Sequence, residues 1–185
     1  MQINIELTRE SIQDAIDIID GYKRQLNSFT SRFVDELLSV GIKTARGIAN
    51  SSATSKDIRG TIVFTTQTNV NDGGKTIEGL LIATDGKKIV KEWKVKDGTK
   101  SVVISQTLMA EFGSGWLSVV LDNVPGVGQG TFPGQTHAND PDGWRWTDTN
   151  GETHFSIGEA PSFPMHNAML EMQKQIDDVA KRVFG

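Results

Sequence analysis

The chain has 185 residues, a net charge of −4 at pH 7 and no cysteine. A chain of this length is expected to form one domain whose core needs no disulfide or metal to hold it. The lack of cysteine excludes disulfides, thiol nucleophiles and thiolate metal sites. An isoelectric point near 5.4 and the lack of a dense Lys/Arg patch argue against a nucleic-acid-binding surface.

The sequence contains no recognisable targeting or membrane segment. No apolar run approaches the roughly 20 residues that a membrane span requires. The first residues lack the basic and apolar regions of a signal peptide. We therefore expect a protein that is made and kept inside a cell, or that leaves it by lysis.

Charge is unevenly distributed along the chain. Residues 56–100 carry nine basic and six acidic side chains, whereas residues 101–160 carry one basic side chain, Arg145, and seven acidic ones. Such an arrangement is typical of a two-sided surface that steers copies or partners together. Solvated faces that differ in charge without a functional consequence are the alternative.

The first fifty residues are predicted to be helical. An apolar stripe repeats every seven residues, with a second track beside it: Ile12, Ile19, Leu26, Phe33 and Val40, then Ala15, Tyr22 and Phe29. Ser11 followed by Asp14 indicates the helix start. The stripe lies on one long helix, or on two helices broken near Gly21 or residues 27–28. It packs either on the protein's own sheet or on a neighbouring copy.

An antiparallel β-meander is predicted over residues 58–113. Apolar and polar residues alternate there, and Asn-Asp-Gly-Gly and Asp-Gly sequences provide turns. The expected strands are Thr61–Thr66, Glu78–Thr84, Lys87–Val95 and Ser101–Ser105. Met109–Gly113 is predicted to be a further strand or the sheet edge. One face of such a sheet must be covered, and the N-terminal helix is the obvious cover.

A long Gly/Pro-rich loop is predicted over residues 114–158, with a small hairpin turning at Asn150-Gly151. A C-terminal helix is predicted over residues 161–184. Its apolar residues recur at three- and four-residue steps, and they are Met165, Met169, Met172, Ile176, Val179 and Val183. The predicted fold is therefore α+β, a single domain in which a long N-terminal helix or helix pair and a C-terminal helix pack on an antiparallel meander.

The sequence provides no convincing catalytic set. Its three histidines form no HxH or HExxH pattern, and no nucleophile elbow or phosphate-binding loop is present. We therefore predict that the protein is not an enzyme and binds no cofactor or metal. One alternative is a small soluble domain that binds a ligand or a metal through the His137–Trp146 loop, where His137 lies near Asp140 and Asp142.

Four segments resemble the tail-completion family of long-tailed bacteriophages, which includes minor tail and neck components. The first is Glu111-Phe112-Gly113-Ser114-Gly115, which a Gly/Pro/His-rich loop follows. The second runs from Gly143 through Trp144, Trp146 and Asp148 to Gly151. The third contains Pro164, Met165, Ala168, Glu171 and Met172, and the fourth is the apolar and basic end, Val179–Phe184. Glu159 departs from the small or basic residue that the pattern favours. The matched region begins at about Met109.

The resemblance implies a non-enzymatic virion protein of the head–tail joint. It implies that the protein completes the upper end of the tail and forms a homo-oligomeric ring of commonly six copies around the DNA channel. Neck or connector proteins and tail-terminator or tail-tube proteins are the implied partners, and DNA passes through only as cargo. The protein is expected to be made in the host bacterial cytoplasm, to enter the virion and to have no membrane contact.

The residues of these segments have alternative roles. Phe112 is expected in the core, and Gly113 is expected to allow a bend or a positive φ at a strand end. Trp144 and Trp146 face one side of a strand, either as core or as inter-subunit anchors. The methionine-rich helix face is either core or a partner surface. The loop residues predicted to contact a neighbour are Val124, Pro125, Val127, Phe132 and Pro133.

Overall fold

The protein was analysed as a computed structural model, which describes residues 9–51, 61–71, 76–119 and 140–185. Its elements are α1 (Arg9–Ser51), β1 (Ile62–Asn71), β2 (Thr76–Asp85), β3 (Ile89–Val95), β4 (Gly98–Ile104), α2 (Gln106–Phe112), β5 (Ser114–Gly115), β6 (Trp144–Thr147), β7 (Thr153–Ser156), β8 (Gly158–Glu159) and α3 (Pro164–Phe184). The long N-terminal helix, the C-terminal helix and the antiparallel strand pairs confirm the α+β class. Among the described residues, no helix combines the length and the apolar character that crossing a membrane requires.

Helix α1 is continuous from Arg9 to Ser51, so the first of the two predicted alternatives, one long helix, is confirmed. The helix already includes Arg9 and Glu10, so it does not start at Ser11 as predicted. Gly41 lies inside α1, where a glycine has a cost in helix propensity. A Cβ atom there would lie 2.7 Å from the sulfur of Met172, so the missing side chain allows α1 and α3 to approach closely.

The core lies where α1, α3 and the β1–β2 hairpin meet. Its fully or nearly fully buried members are Ala45, Ala49, Phe64 and Ala168. The three alanines keep the helix surfaces thin, and the ring of Phe64, only 2% exposed, fills the space between them. Arg46 reaches across and donates a 2.9 Å hydrogen bond from Nη2 to the carbonyl oxygen of Phe64. The predicted cover of the sheet by α1 is therefore observed for β1 and β2.

The described strands do not form the single meander that was predicted. β1 pairs with β2, and β3 pairs with β4, in two separate antiparallel sheets. The reason lies at the end of β2, where the carboxylate of Asp85 accepts hydrogen bonds from the backbone N–H and the hydroxyl of Thr107 at 2.8 and 2.7 Å. The chain leaving β2 is thereby bound to α2. Gly86 continues the turn by donating to the carbonyl oxygen of Thr61 at 2.7 Å.

Residues 109–113 are not a strand, because most of them belong to helix α2. Ser105 caps this helix by accepting from the N–H of Leu108, and Gly113 ends it with φ of 74°. Gln106 is fully buried and donates from Nε2 to the carbonyl oxygen of Lys87 at 2.6 Å. The short helix is thus held by side-chain contacts on both sides, which overrule the apolar alternation that predicted a strand.

Candidate functional site

Three of the four segments that carry the family resemblance meet at one place in the fold, whereas the fourth, Val179–Phe184, forms the other end of α3. We call this place the motif junction and define it by Glu111, Gly113, Gly115, Gly143 and Pro164. It is formed by the end of α2, the short β5–β8 pair, the β6–β7 hairpin and the start of α3. Residues that are distant in sequence are therefore neighbours here.

Glu111 caps helix α3 from another part of the chain. Its Oε2 atom accepts from the N–H of Met165 at 2.8 Å, and Oε1 accepts from the N–H of His166 at 2.9 Å. The residue at the cap position, Phe163, is in the left-handed region with φ of 54° and offers no side-chain cap. Pro164 occupies the first turn, as predicted, and has no N–H to satisfy. A carboxylate at this end also stabilises the helix dipole.

Two glycines of the junction occupy positions that no other residue can fill without strain. Gly113 has φ of 74°, and a Cβ atom there would lie 2.5 Å from the carbonyl oxygen of Glu159. Gly115 has φ of 59°, and a Cβ atom there would lie 2.7 Å from the ring of Trp144. The predicted positive φ of Gly113 is confirmed, although the residue follows a helix and precedes β5.

The β6–β7 hairpin joins the junction through its first strand. Trp144 pairs with Ser156, and its partly buried ring lies against Gly115. This contact favours packing within the subunit as the role of Trp144. Trp146 lies in the same strand, opposite His154, and its side chain is not among those described. The predicted turn at Asn150-Gly151 is confirmed, with φ of 88° at Gly151.

The predicted loop contacts lie outside the described residues. Val124, Pro125, Val127, Phe132 and Pro133 all belong to residues 120–139. The structure does show how both ends of this segment are held. The N–H of Val119 donates to the carbonyl oxygen of Phe112 at 3.0 Å. On the other side, the N–H of Gly143 donates to the carbonyl oxygen of Asp140 at 3.0 Å.

An exposed apolar group near the junction was missed by the sequence analysis. It consists of Trp116, Phe155 and Ile157, which are 48%, 59% and 41% exposed. Phe155 lies opposite Arg145, on the hairpin face that turns away from Trp144. The alternation of the hairpin strands could have revealed Phe155. Nothing in the local pattern distinguishes the exposure of Trp116.

The methionine-rich face of α3 has one part that packs on the protein and one part that is exposed. Met165, Ala168 and Met172 contact the core or α1, which agrees with the core interpretation. Met169 and Ile176 are 44% and 43% exposed, so the core alternative does not hold for these two residues. The buried stripe instead follows residues 165, 168, 172, 179 and 183. Glu171 accepts a hydrogen bond from Gln175 at 3.1 Å and forms an ion pair with Lys174. In α2, Phe112, which was expected in the core, is only partly buried.

The hairpin turn contains a possible cation-binding group that the sequence analysis did not identify. In the described ranges, Asp148, Glu152 and His154 bring potential ligand atoms within 4.8 Å of one another. Asp148 Oδ1 accepts from the N–H groups of Asn150 and Glu152, both at 2.9 Å, and Oδ2 lies 3.0 Å from His154 Nε2. The hydrogen bond from His154 lowers the pKa of Asp148, and the two backbone donors lower it further. This carboxylate therefore closes the turn.

Comparison with known proteins does not identify a family. No protein-family model matches the chain, and no curated protein or solved structure is significantly similar to it. The resemblance therefore rests on the residues of the segments themselves.

Replacing Glu111 by Ala is expected to lower the free energy of unfolding by about 1–2 kcal/mol, because the N–H groups of Met165 and His166 lose their acceptors. Glu171→Ala, within α3, is the matched control, and the exposed i, i+3 and i, i+4 partners of Glu171 predict a change of about 0.5 kcal/mol or less. Urea unfolding of both variants measures the difference. Equal losses for the two variants would contradict the capping role.

Gly115→Ala and Gly151→Ala separate the steric role of a junction glycine from its conformational role. Both residues have positive φ, but a Cβ atom at residue 151 meets nothing within 4 Å, whereas one at residue 115 meets Trp144. We expect a loss of about 1 kcal/mol for Gly151→Ala and about 2–4 kcal/mol for Gly115→Ala. Urea unfolding again provides the measurement, and similar losses would show that the Trp144 contact is unimportant.

The lowered pKa of Asp148 predicts how the hairpin turn responds to acid. Its charged form is favoured in the folded turn, so the stabilisation is present above the ordinary value of 3.8 and is lost as the pH falls through the lower folded-state value. A carboxyl titration by NMR should give a midpoint below 3.8 that rises toward 3.8 in His154→Ala. Asp148→Asn should remove the accompanying shifts of the Asn150 and Glu152 amides. A midpoint at or above 3.8 in the unmodified protein would overturn the assignment.

Proposed function

We propose that this protein is a virion structural component of the head–tail joint of a long-tailed bacteriophage. In this proposal it completes the upper end of the tail and forms a ring, commonly of six copies, around the channel through which DNA passes. Its partners are the neck or connector proteins on one side and the tail-terminator or tail-tube proteins on the other. It acts by contact and uses no catalytic group or cofactor.

The motif junction is the observation that supports this proposal. Glu111 of the first segment holds the start of the third, and Trp144 of the second lies against Gly115 of the first. The order and spacing of these segments thus correspond to one structural unit. This shared unit supports the proposal.

The same unit is suited to present a contact surface. It holds residues 119 and 140, at the two ends of the Gly/Pro-rich segment, and it lies beside Phe155 and Ile157. A ring requires heterologous contacts, in which one surface of each subunit meets a different surface of the next. Exposed aromatic side chains supply much of the energy in such contacts. We therefore assign Trp116, Phe155 and the 120–139 segment to the subunit interface.

The alternative, a ligand- or metal-binding domain using the His137–Trp146 loop, has weaker support. His137 lies outside the described residues. Asp140 accepts from the N–H of Asp142 at 2.9 Å, so its carboxylate has a local role in the turn. The carboxylate of Asp148 is likewise engaged by the hairpin.

Deletion of the gene from its phage, with complementation from a plasmid, tests the proposed function. Electron microscopy of the deletion lysate should show filled heads and tails that fail to join, or tails with a faulty upper end. Complementation by the unmodified gene should restore joined, infectious particles. Normal infectious particles from the deletion strain would overturn the proposal.

Phe155→Asp is the matched interface variant, and Thr149→Asp is its control on the same hairpin. Both side chains are exposed, so both variants should fold. A charge in the interface should reduce complementation by Phe155→Asp at least tenfold, whereas Thr149→Asp should complement normally. Full complementation by Phe155→Asp would show that Phe155 is not part of the interface. The result of the gene deletion would still stand as a test of the proposed function.

A further inference from the structure

The N-terminal part of α1 carries a row of half-exposed apolar side chains around the buried Ala15. We call it the N-terminal stripe and define it by Ile12, Ile16, Ile19, Tyr22 and Leu26, which are between 44% and 58% exposed. Large apolar side chains clustered along one helical face mark an interaction site more often than isolated ones do. Since the stripe follows the heptad spacing of the sequence, its expected occupant is another helix.

Helix α3 covers the continuation of this stripe but ends before reaching it. The ring of Phe184 lies 6.3 Å from that of Phe29 and 5.7 Å from that of Phe33. Met172, twelve residues earlier in α3, lies beside Gly41, so α3 runs antiparallel to α1. Residues 9–28 of α1 then extend beyond the end of α3 by roughly 30 Å. An additional antiparallel helix would therefore continue the contact that α3 begins.

The charges of α1 indicate which helix fits this place. Residues 10–20 contain four acidic side chains and no basic one, and residues 21–31, which lie opposite them in an antiparallel pair centred between Ile19 and Tyr22, contain two basic side chains, Lys23 and Arg24, and no acidic one. A second α1 placed antiparallel sets the acidic half of each copy beside the basic half of the other. A parallel arrangement would place like charges together, which is unfavourable. Each copy also supplies the same apolar stripe, so the contact is self-complementary.

We propose that two copies of this protein pair through antiparallel N-terminal stripes, about a two-fold axis between Ile19 and Tyr22. Each Ile19 then lies opposite Tyr22 of the other copy. The half-exposed side chains provide on the order of 500 Å² per copy, or about 1,000 Å² in total, which reaches the lower range of specific interfaces. The pairing does not depend on the proposed function, because it uses only α1.

The mass of the purified protein tests the pairing directly. Sedimentation equilibrium should give twice the 20.2 kDa chain mass for the unmodified protein. Ile19→Asp should weaken association at least 100-fold, whereas Gln13→Asp, which introduces the same charge on the exposed polar face, should remain paired. Circular dichroism confirms that each variant keeps its helices. An unmodified protein that stays monomeric at high micromolar concentration overturns the proposal, as does an Ile19→Asp variant that associates normally.

Cysteine cross-linking determines the direction of the pair independently of any destabilising variant. The chain has no cysteine, so each introduced thiol is the only one present. A short bismaleimide should link Ile19→Cys into a covalent dimer. It should not link Ile12→Cys, whose two thiols would lie roughly 25 Å apart along antiparallel helices. Efficient linking at both positions indicates a parallel pair, and linking at neither indicates another contact; either result overturns the proposal.

Discussion

The hydrogen bonds that Glu111 accepts from the start of α3 are the contact on which the C-terminal half depends. They join residues 54 and 55 positions apart and fix where α3 begins. The register of α3 then places Ala168 in the core and Met172 beside Gly41 of α1. The N–H groups of Ser162 and Phe163 also bond to the carbonyl oxygen of Ala110, so two further contacts support the same position.

Local periodicity is sufficient to predict the two long helices, although only part of the apolar stripe of α1 is buried. The heptad stripe predicted α1, the three- and four-residue steps predicted α3, and the Asn-Gly pair predicted the hairpin turn. Helix α2 could not be recognised in this way, because its seven residues make fewer than two full turns. Its position depends on Asp85 and Lys87, which contact it from earlier in the chain. The same contacts separate β2 from β3, so the meander prediction failed for one physical reason.

The candidate site could be predicted by residue type but not by arrangement. A glycine after Glu111-Phe112 suggested a positive φ, and Gly113 has one. The contact of Gly115 with Trp144 joins residues 29 positions apart, and no local pattern predicts which ring meets which glycine. For α3, spacing alone could not distinguish Met165, which packs on the core, from Met169, which is exposed. Only the surrounding elements determine that difference.

The two proposed contact surfaces lie at opposite ends of α3. The motif junction holds the first turn of α3. The N-terminal stripe of α1 lies beyond the other end of α3, where Phe184 contacts Phe29. A helix of 21 residues is about 31 Å long, so the two surfaces are well separated. Their symmetries also differ, since a ring uses heterologous contacts whereas the antiparallel stripe forms a closed two-fold contact. The junction and the stripe share no residues, so a substitution in one leaves the side chains of the other unchanged, and the two contacts can be tested separately.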